Sequence, residues 1–169
     1  MTAPPFGVKP LEGEDRSGFA CGRDSLDRYF RTQITQDVRR NIATAFVAIH
    51  AGTGAVAGYY TLSAAQVAFT DLGDDWRRKL PRYPSLPAVL IGRLAIDRGF
   101  QGHGLGPALL ADAAIRTIRS DIGAHFLIVD ALDEEAVQFY LHHGMRRIPG
   151  AENRLFIPLA TLANALGGR

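Results

Sequence analysis

Apolar and polar positions along this chain follow two different periods, and the switches between them mark out its elements. Phe6 to Leu11 reads as a first strand. From Asp24 the period lengthens. Leu26, Tyr29, Phe30, Ile34 and Val38 recur every three to four residues with charges between them, which predicts a helix with Asp24 as its N-cap. Residues 44–50 (TAFVAIH) and 56–63 (VAGYYTLS) read as strands, and the Gly-Thr-Gly between them is a hairpin signal. Residues 64–87 are less regular. They hold a basic cluster, Trp76-Arg77-Arg78-Lys79, and prolines at 81, 84 and 87, whose spacing favours an extended approach.

Beyond them, 88–96 (AVLIGRLAI) predicts a buried strand, and Pro107 to Ile118 a helix with apolar Ala108, Leu109, Ala111, Ile115 and Ile118. HFLIVDA, 125–131, predicts a second buried strand. Asp133 to His143 predicts a helix capped by Asp133, with Glu134 and Glu135 in the first turn, where the dipole favours anions, and with Gly144 ending it. Two short strands, 145–148 and 154–158, precede a C-terminal helical turn. The order β, α, β, β, β, α, β, α, β, β predicts an α/β layer fold around a mixed sheet, as one domain over 1–169.

Composition narrows the class. The 169 residues suffice for one sizeable core, and 47% apolar content is ordinary for a globular chain. No apolar run approaches the roughly 20 residues of a membrane span. The N-terminus lacks a secretory signal pattern. One cysteine, Cys21, excludes an internal disulfide and a Cys-based zinc cluster. These features predict a cytoplasmic protein without a metal. The net charge of +2 does not by itself identify a nucleic-acid partner.

The stretch 92–106, GRLAIDRGFQGHGLG, raises the main chemical question. Glycines occupy 102, 104 and 106, between a strand and a helix that carries Pro107 at its expected first position. Helix N-termini leave backbone N–H groups unpaired, and glycines let an anion approach them. A dinucleotide fold needs Gly-x-Gly-x-x-Gly, and here the third glycine comes one place early. A phosphate loop of the Walker type needs Gly-Lys-Ser/Thr, which is absent. What remains is Gln101-x-x-Gly104-x-Gly106.

That motif resembles the acetyl-CoA pyrophosphate loop of the GNAT family of N-acetyltransferases, and the element order is similar to that fold. The chain more narrowly resembles the acetyltransferase toxins of bacterial type II toxin–antitoxin systems. The matching pieces are FACGRDSLDRYF (19–30), AGYYTLS (57–63), LPRYPSLPAVLIGRLAID (80–97), QGHGLGPALLADA (101–113), LIVDALDEEAVQFYLHHGM (127–145) and LFIPL (155–159). The resemblance implies that backbone amides of Gly102, His103, Gly104, Leu105 and Gly106 hold the pyrophosphate, with Gln101 shaping the loop. It implies that Leu94, Ala95 and Ile96 pair through their backbone with the pantetheine arm, on a strand that a bulge helps to splay from 127–129. Tyr140 matches the tyrosine that protonates the departing thiolate.

For this acceptor chemistry a base is dispensable. An α-amino group titrates near pH 8, and an ester on the same carbon lowers it further. The resemblance implies such an acceptor, the α-amine of aminoacyl-tRNA, together with arrest of translation, a ribbon–helix–helix antitoxin and a homodimer. Arg77, Arg78, Lys79, Arg82 and Arg93 are candidates for phosphate contacts, with Arg39, Arg40, Arg146 and Arg147 as further ones. Two other readings stay open: an acetyltransferase of a small amine or a protein N-terminus, and an acetyl-CoA-binding domain without turnover. His142 and His143 point about 100° apart and read as a solvated helix end that favours cationic histidine. Asp130, Asp133 and Glu134 read as a strand end and caps or as a proton relay, and Cys21 as a buried apolar residue.

Overall fold

The computed structural model describes residues 5–167. It has seven strands and six α-helices among them, in a mixed α/β arrangement. The chain divides into two compact units, Met1–Ser63 with Gly92–Ala113, and Ala64–Ile91 with Ala114–Arg169.

In the first unit, β1 (Phe6–Pro10), β2 (Thr44–His50) and the start of β3 (Val56–Ala68) form an antiparallel ladder, with Val8 opposite Ala48 and Phe46 opposite Tyr60. The single helix expected from Asp24 is two: α1 (Asp24–Thr32) and α2 (Ile34–Arg39), joined at Gln33. Asp24 is the first helical residue, and Arg23 stands at the cap without a side-chain cap bond. The carboxylate that holds the preceding chain is that of buried Asp27, whose Oδ1 accepts from the Cys21 amide at 2.8 Å. The apolar spacing still marks the buried face. Phe30 stacks on Tyr59 with centroids 4.1 Å apart, and Phe19 packs edge-on against both. Cys21, Ile34 and Val47 complete this core.

The second unit contains the start of β4 (Ser85–Ile96), which pairs in parallel with β5 (Phe126–Asp130) from Ala88↔Phe126 to Ile91↔Val129. β5 pairs antiparallel with β7 (Ala151–Pro158), and β7 with the short β6 (Arg146–Ile148). Four of the five β5 residues are buried, as an apolar run in a parallel strand requires.

The irregular reading of 64–87 needs correction. β3 runs on to Ala68, a 3₁₀ turn covers Phe69–Asp71, and the basic cluster lies on a helix, α3 (Asp74–Lys79). Trp76 anchors that helix edge-on against Phe156 at 5.2 Å and Phe126 at 6.3 Å. The next helix, α4 (Leu105–Ile118), begins two residues before Pro107. The proline is therefore the third residue, still inside the first turn, where no intrahelical acceptor needs its missing N–H. The last two helices are α5 (Glu134–His142) and α6 (Leu159–Ala165).

Candidate active site

The glycine turn belongs to the first unit. Asp97 opens it by donating its amide to the Ala57 carbonyl at 2.8 Å. Its carboxylate accepts from the amides of Gly99 at 2.9 Å and Ala20 at 3.0 Å. Gln101 Nε2 donates to the carbonyls of Ile96 and Cys21, both at 2.9 Å. Gln101 thus ties the turn to the end of β4 and to the 20–22 segment. Gly102 and Gly104 have φ of +82° and +77°, which only glycine adopts without strain. A Cβ at either would meet nothing within 4 Å. Leu105 is buried and fixes the start of α4, while His103 is exposed. The result is an open turn, uncovered at Gly102 and Gly104, at the N-terminus of a 14-residue helix. It suits a pyrophosphate, because the unpaired amides and the helix dipole both favour an anion.

Leu94, Ala95 and Ile96 form the end of β4, outside the ladder with β5, whose parallel register ends at Ile91↔Val129. The residues before them are held tightly. Thr61, 2% exposed, accepts from the Arg93 amide through Oγ1 at 3.2 Å. On β3, Gly58 is packed so closely that a Cβ would lie 3.0 Å from the Ala95 carbonyl oxygen and 3.1 Å from Leu109. Asp97, Thr61 and Gly58 all shape this strand and turn, and none was singled out by sequence pattern. Asp97 carries a local signal, an acid two residues before a glycine in a turn. The other two depend on which strand lies alongside.

Tyr140 belongs to the second unit, on α5. Asp133 caps this helix as expected, accepting from the Ala136 amide at 2.9 Å. Gly144, at φ +93°, ends it. The Tyr140 ring packs edge-on against Phe139 at 5.0 Å and is 5% exposed. Its hydroxyl has no hydrogen-bond partner among the described residues, and no polar side-chain atom among them is sealed without one. The oxygen therefore keeps a solvent-facing patch. Burial raises the phenol pKa above its ordinary value, so the proton stays on at neutral pH.

The acids considered for a proton relay are committed elsewhere. Asp130 receives two bonds from Arg154, at 2.7 and 3.0 Å. Asp133 is the cap, and Glu134 pairs with Arg147 at 2.8 Å. His143 departs from the cationic helix end expected of it: partial burial and the neighbouring His142 lower its pKa. Cys21 is buried, with its thiol pushed up to about 11 by burial and by Asp27. Among the described residues no group of three His, Cys, Asp or Glu is placed to hold a metal ion. No helix among them is long and apolar enough to cross a membrane.

The basic candidates separate. Arg77, Arg78 and Arg82 line one depression of about 240 Å³ in the second unit, with Phe69 and Asp74. Arg77 is ion-paired with Asp74. Lys79 lies over the Trp76 ring at 5.5 Å. Arg93 belongs to the first unit, where its guanidinium lies 3.5 Å from the centre of the Tyr29 ring.

A strand, a turn with alternate left-handed glycines and a helix N-terminus make a main-chain site suited to an anion. A family model for the acetyltransferase (GNAT) domain matches residues 86–155. A tRNA-acetylating toxin of Mycobacterium tuberculosis is 36% identical over 133 residues, 78% of each chain. The chain belongs to the GNAT acetyltransferase family. Among solved structures, AtaT complexed with acetyl-methionyl-tRNAfMet superposes with a TM-score of 0.87 at 31% identity, covering 95% of this chain and 99% of that one. A tyrosine-to-phenylalanine variant of AtaT, bound to the C-terminus of the antitoxin AtaR and to acetyl-CoA, superposes with a TM-score of 0.83 at 28% identity, covering 97% and 99%.

Proposed function

We propose that the protein is a toxin that transfers the acetyl group of acetyl-CoA to the α-amino group of aminoacyl-tRNA and so blocks translation. The observation that carries the donor is the open glycine cradle at 101–106. Backbone amides of Gly102 to Gly106 bind the pyrophosphate, and the main chain of Leu94 to Ile96 receives the pantetheine arm. Tyr140 donates its proton to the departing thiolate, a role that fits a phenol kept protonated by burial. Asp130, Asp133 and Glu134 are each engaged, so the acceptor has to arrive as a neutral amine. An aminoacyl ester does so at physiological pH, and a lysine near 10.4 does not.

The tRNA body is supported by the likeness to a tRNA-acetylating toxin and to AtaT in its acetyl-methionyl-tRNAfMet complex. It is supported also by the depression lined by Arg77, Arg78 and Arg82. An antitoxin of ribbon–helix–helix type is the matching neutraliser; that an antitoxin binds, whatever its type, is supported by AtaT bound to the C-terminus of the antitoxin AtaR.

The test is mass spectrometry of charged tRNA incubated with the protein and acetyl-CoA. A gain of one acetyl group on the amino acid is expected. If a peptide N-terminus or a polyamine is acetylated and no charged tRNA is, the acceptor is wrong and the donor assignment stands.

A further inference from the structure

Two consecutive residues of β4 address one side chain of β3. A Cβ built on Gly92 would lie 3.1 Å from Thr61 Oγ1, and the next amide, that of Arg93, donates to the same oxygen at 3.2 Å. The Arg93 N–H is thus held by a side chain of β3, two residues beyond Ile91, the last position paired with β5. The hydroxyl is buried with Thr61 at 2% exposure, a costly position that the bond to the Arg93 amide offsets. Arg93 is held on its side-chain end as well. Its guanidinium lies 3.5 Å from the centre of the Tyr29 ring, and Tyr29 is fixed by its hydroxyl donating to Asp37 Oδ2 at 2.8 Å. Thr61 thus holds the backbone immediately before Leu94.

We infer that Thr61 is a positioning residue for the acyl donor. Its hydroxyl holds the Arg93 amide, so that the backbone of Leu94 to Ile96 points its N–H and C=O groups at the pantetheine arm. Arg93 is then part of this clamp. The inference rests on the acetyl-CoA reading and adds to it a residue that touches neither substrate. Thr61 takes no part in binding the phosphates, which fall to the turn that begins at Gln101.

Thr61→Val keeps the shape and removes the hydroxyl; Thr61→Ser keeps the hydroxyl. The probes are acetyl-CoA and 3′-phospho-ADP, which carries the phosphates without the pantetheine arm. In Thr61→Val, acetyl-CoA affinity and kcat/KM are expected to fall at least tenfold, while 3′-phospho-ADP affinity stays within about twofold. Hydrogen exchange at the Arg93 amide is expected to accelerate at least tenfold in the same variant. Thr61→Ser should restore all of these to within about threefold of the parent. Unchanged acetyl-CoA affinity or unchanged Arg93 exchange in Thr61→Val would overturn the proposal, as would a Thr61→Ser variant that behaves like Thr61→Val. A parent protein that binds neither probe would instead sink the acetyl-CoA reading itself.

Discussion

In the proposed reaction Tyr140 concentrates the chemistry in one atom. Its ring is packed, its oxygen has no hydrogen-bond partner among the described residues, and burial keeps the proton on. Replacing it with phenylalanine removes the donor and keeps the packing. Tyr140→Phe should therefore lower kcat by about 10² to 10⁴ while the Kd for acetyl-CoA stays put. Full turnover in that variant would take Tyr140 out of the reaction. The pH profile follows from the same state. The rate should rise as the acceptor α-amine loses its proton, near pH 8 or below, and should show no loss from phenol ionisation below about pH 10.

Burial of the core thiol and phenols acts on stability as well. The Cys21 thiol is raised from 9.0 to about 11, and Tyr29 from 10.0 to about 12, in both cases mainly by burial and next by an acid, Asp27 and Asp37 respectively. A folded pKa above the unfolded one stabilises the fold below the unfolded value, and that contribution is lost as pH climbs to the folded one. Melting temperature should thus be flat up to about pH 9 and fall progressively between 9 and 12. Iodoacetamide should label Cys21 slowly at pH 8 unless the protein is unfolded. Rapid labelling of the native protein would contradict the burial of this group.

At the scale of elements, long periodic segments were legible and short docked ones were not. The strands at 44–50 and 125–131, the capped helix from Asp133 and the glycine turn stand where the pattern put them, because each declares itself within its own stretch of chain. α3 did not, for a physical reason. It has six residues, too few to show a 3.6-residue period and far below the length at which an isolated helix holds together. It exists because Trp76 packs on Phe126 and Phe156, which lie 50 and more residues further along. The bond from the Arg93 amide to Thr61 escaped for the same kind of reason: alternation tells which face a residue takes, but not which hydroxyl lies opposite. Of the chemistry, the glycine loop was legible from residue types alone, whereas Tyr140 came from the family resemblance.

The route into α3 has its own lock. Gly150 donates its amide to the Asp71 carbonyl at 3.0 Å, and a Cβ there would lie 2.6 to 2.9 Å from Asp71 side-chain and backbone atoms. Backbone cannot yield cheaply, so Gly150→Ala must push the 69–71 turn and the helix after it. Overpacking of this kind costs about 1–3 kcal/mol. The expected readout is a drop in Tm of roughly 2–10 °C, with acetyl-CoA affinity retained and tRNA affinity reduced. An unchanged Tm would show that the turn is looser than its contacts imply.

Over the whole molecule the net charge is only +2, so an RNA partner has to be drawn by local charge. The depression in the second unit supplies it unevenly. Asp74 already neutralises Arg77, whereas Arg78 and Arg82 have no ionic partner among the described residues. Each unpaired guanidinium that contacts a phosphate releases condensed counterions, and that release makes affinity depend on salt. Arg78→Ala and Arg82→Ala should each weaken tRNA binding and reduce the slope of log affinity against log salt by about one. Arg77→Ala should weaken binding at least as much, because its removal leaves Asp74 uncompensated and able to repel the phosphates. None of the three is assigned to acetyl-CoA, whose affinity should stay unchanged in each variant. Induction of the intact protein should arrest growth, and the Arg78→Ala, Arg82→Ala pair should relieve the arrest in proportion to the tRNA affinity lost. Filter binding across a salt series decides it: a double variant with the parent's slope would show that tRNA is held elsewhere on the protein.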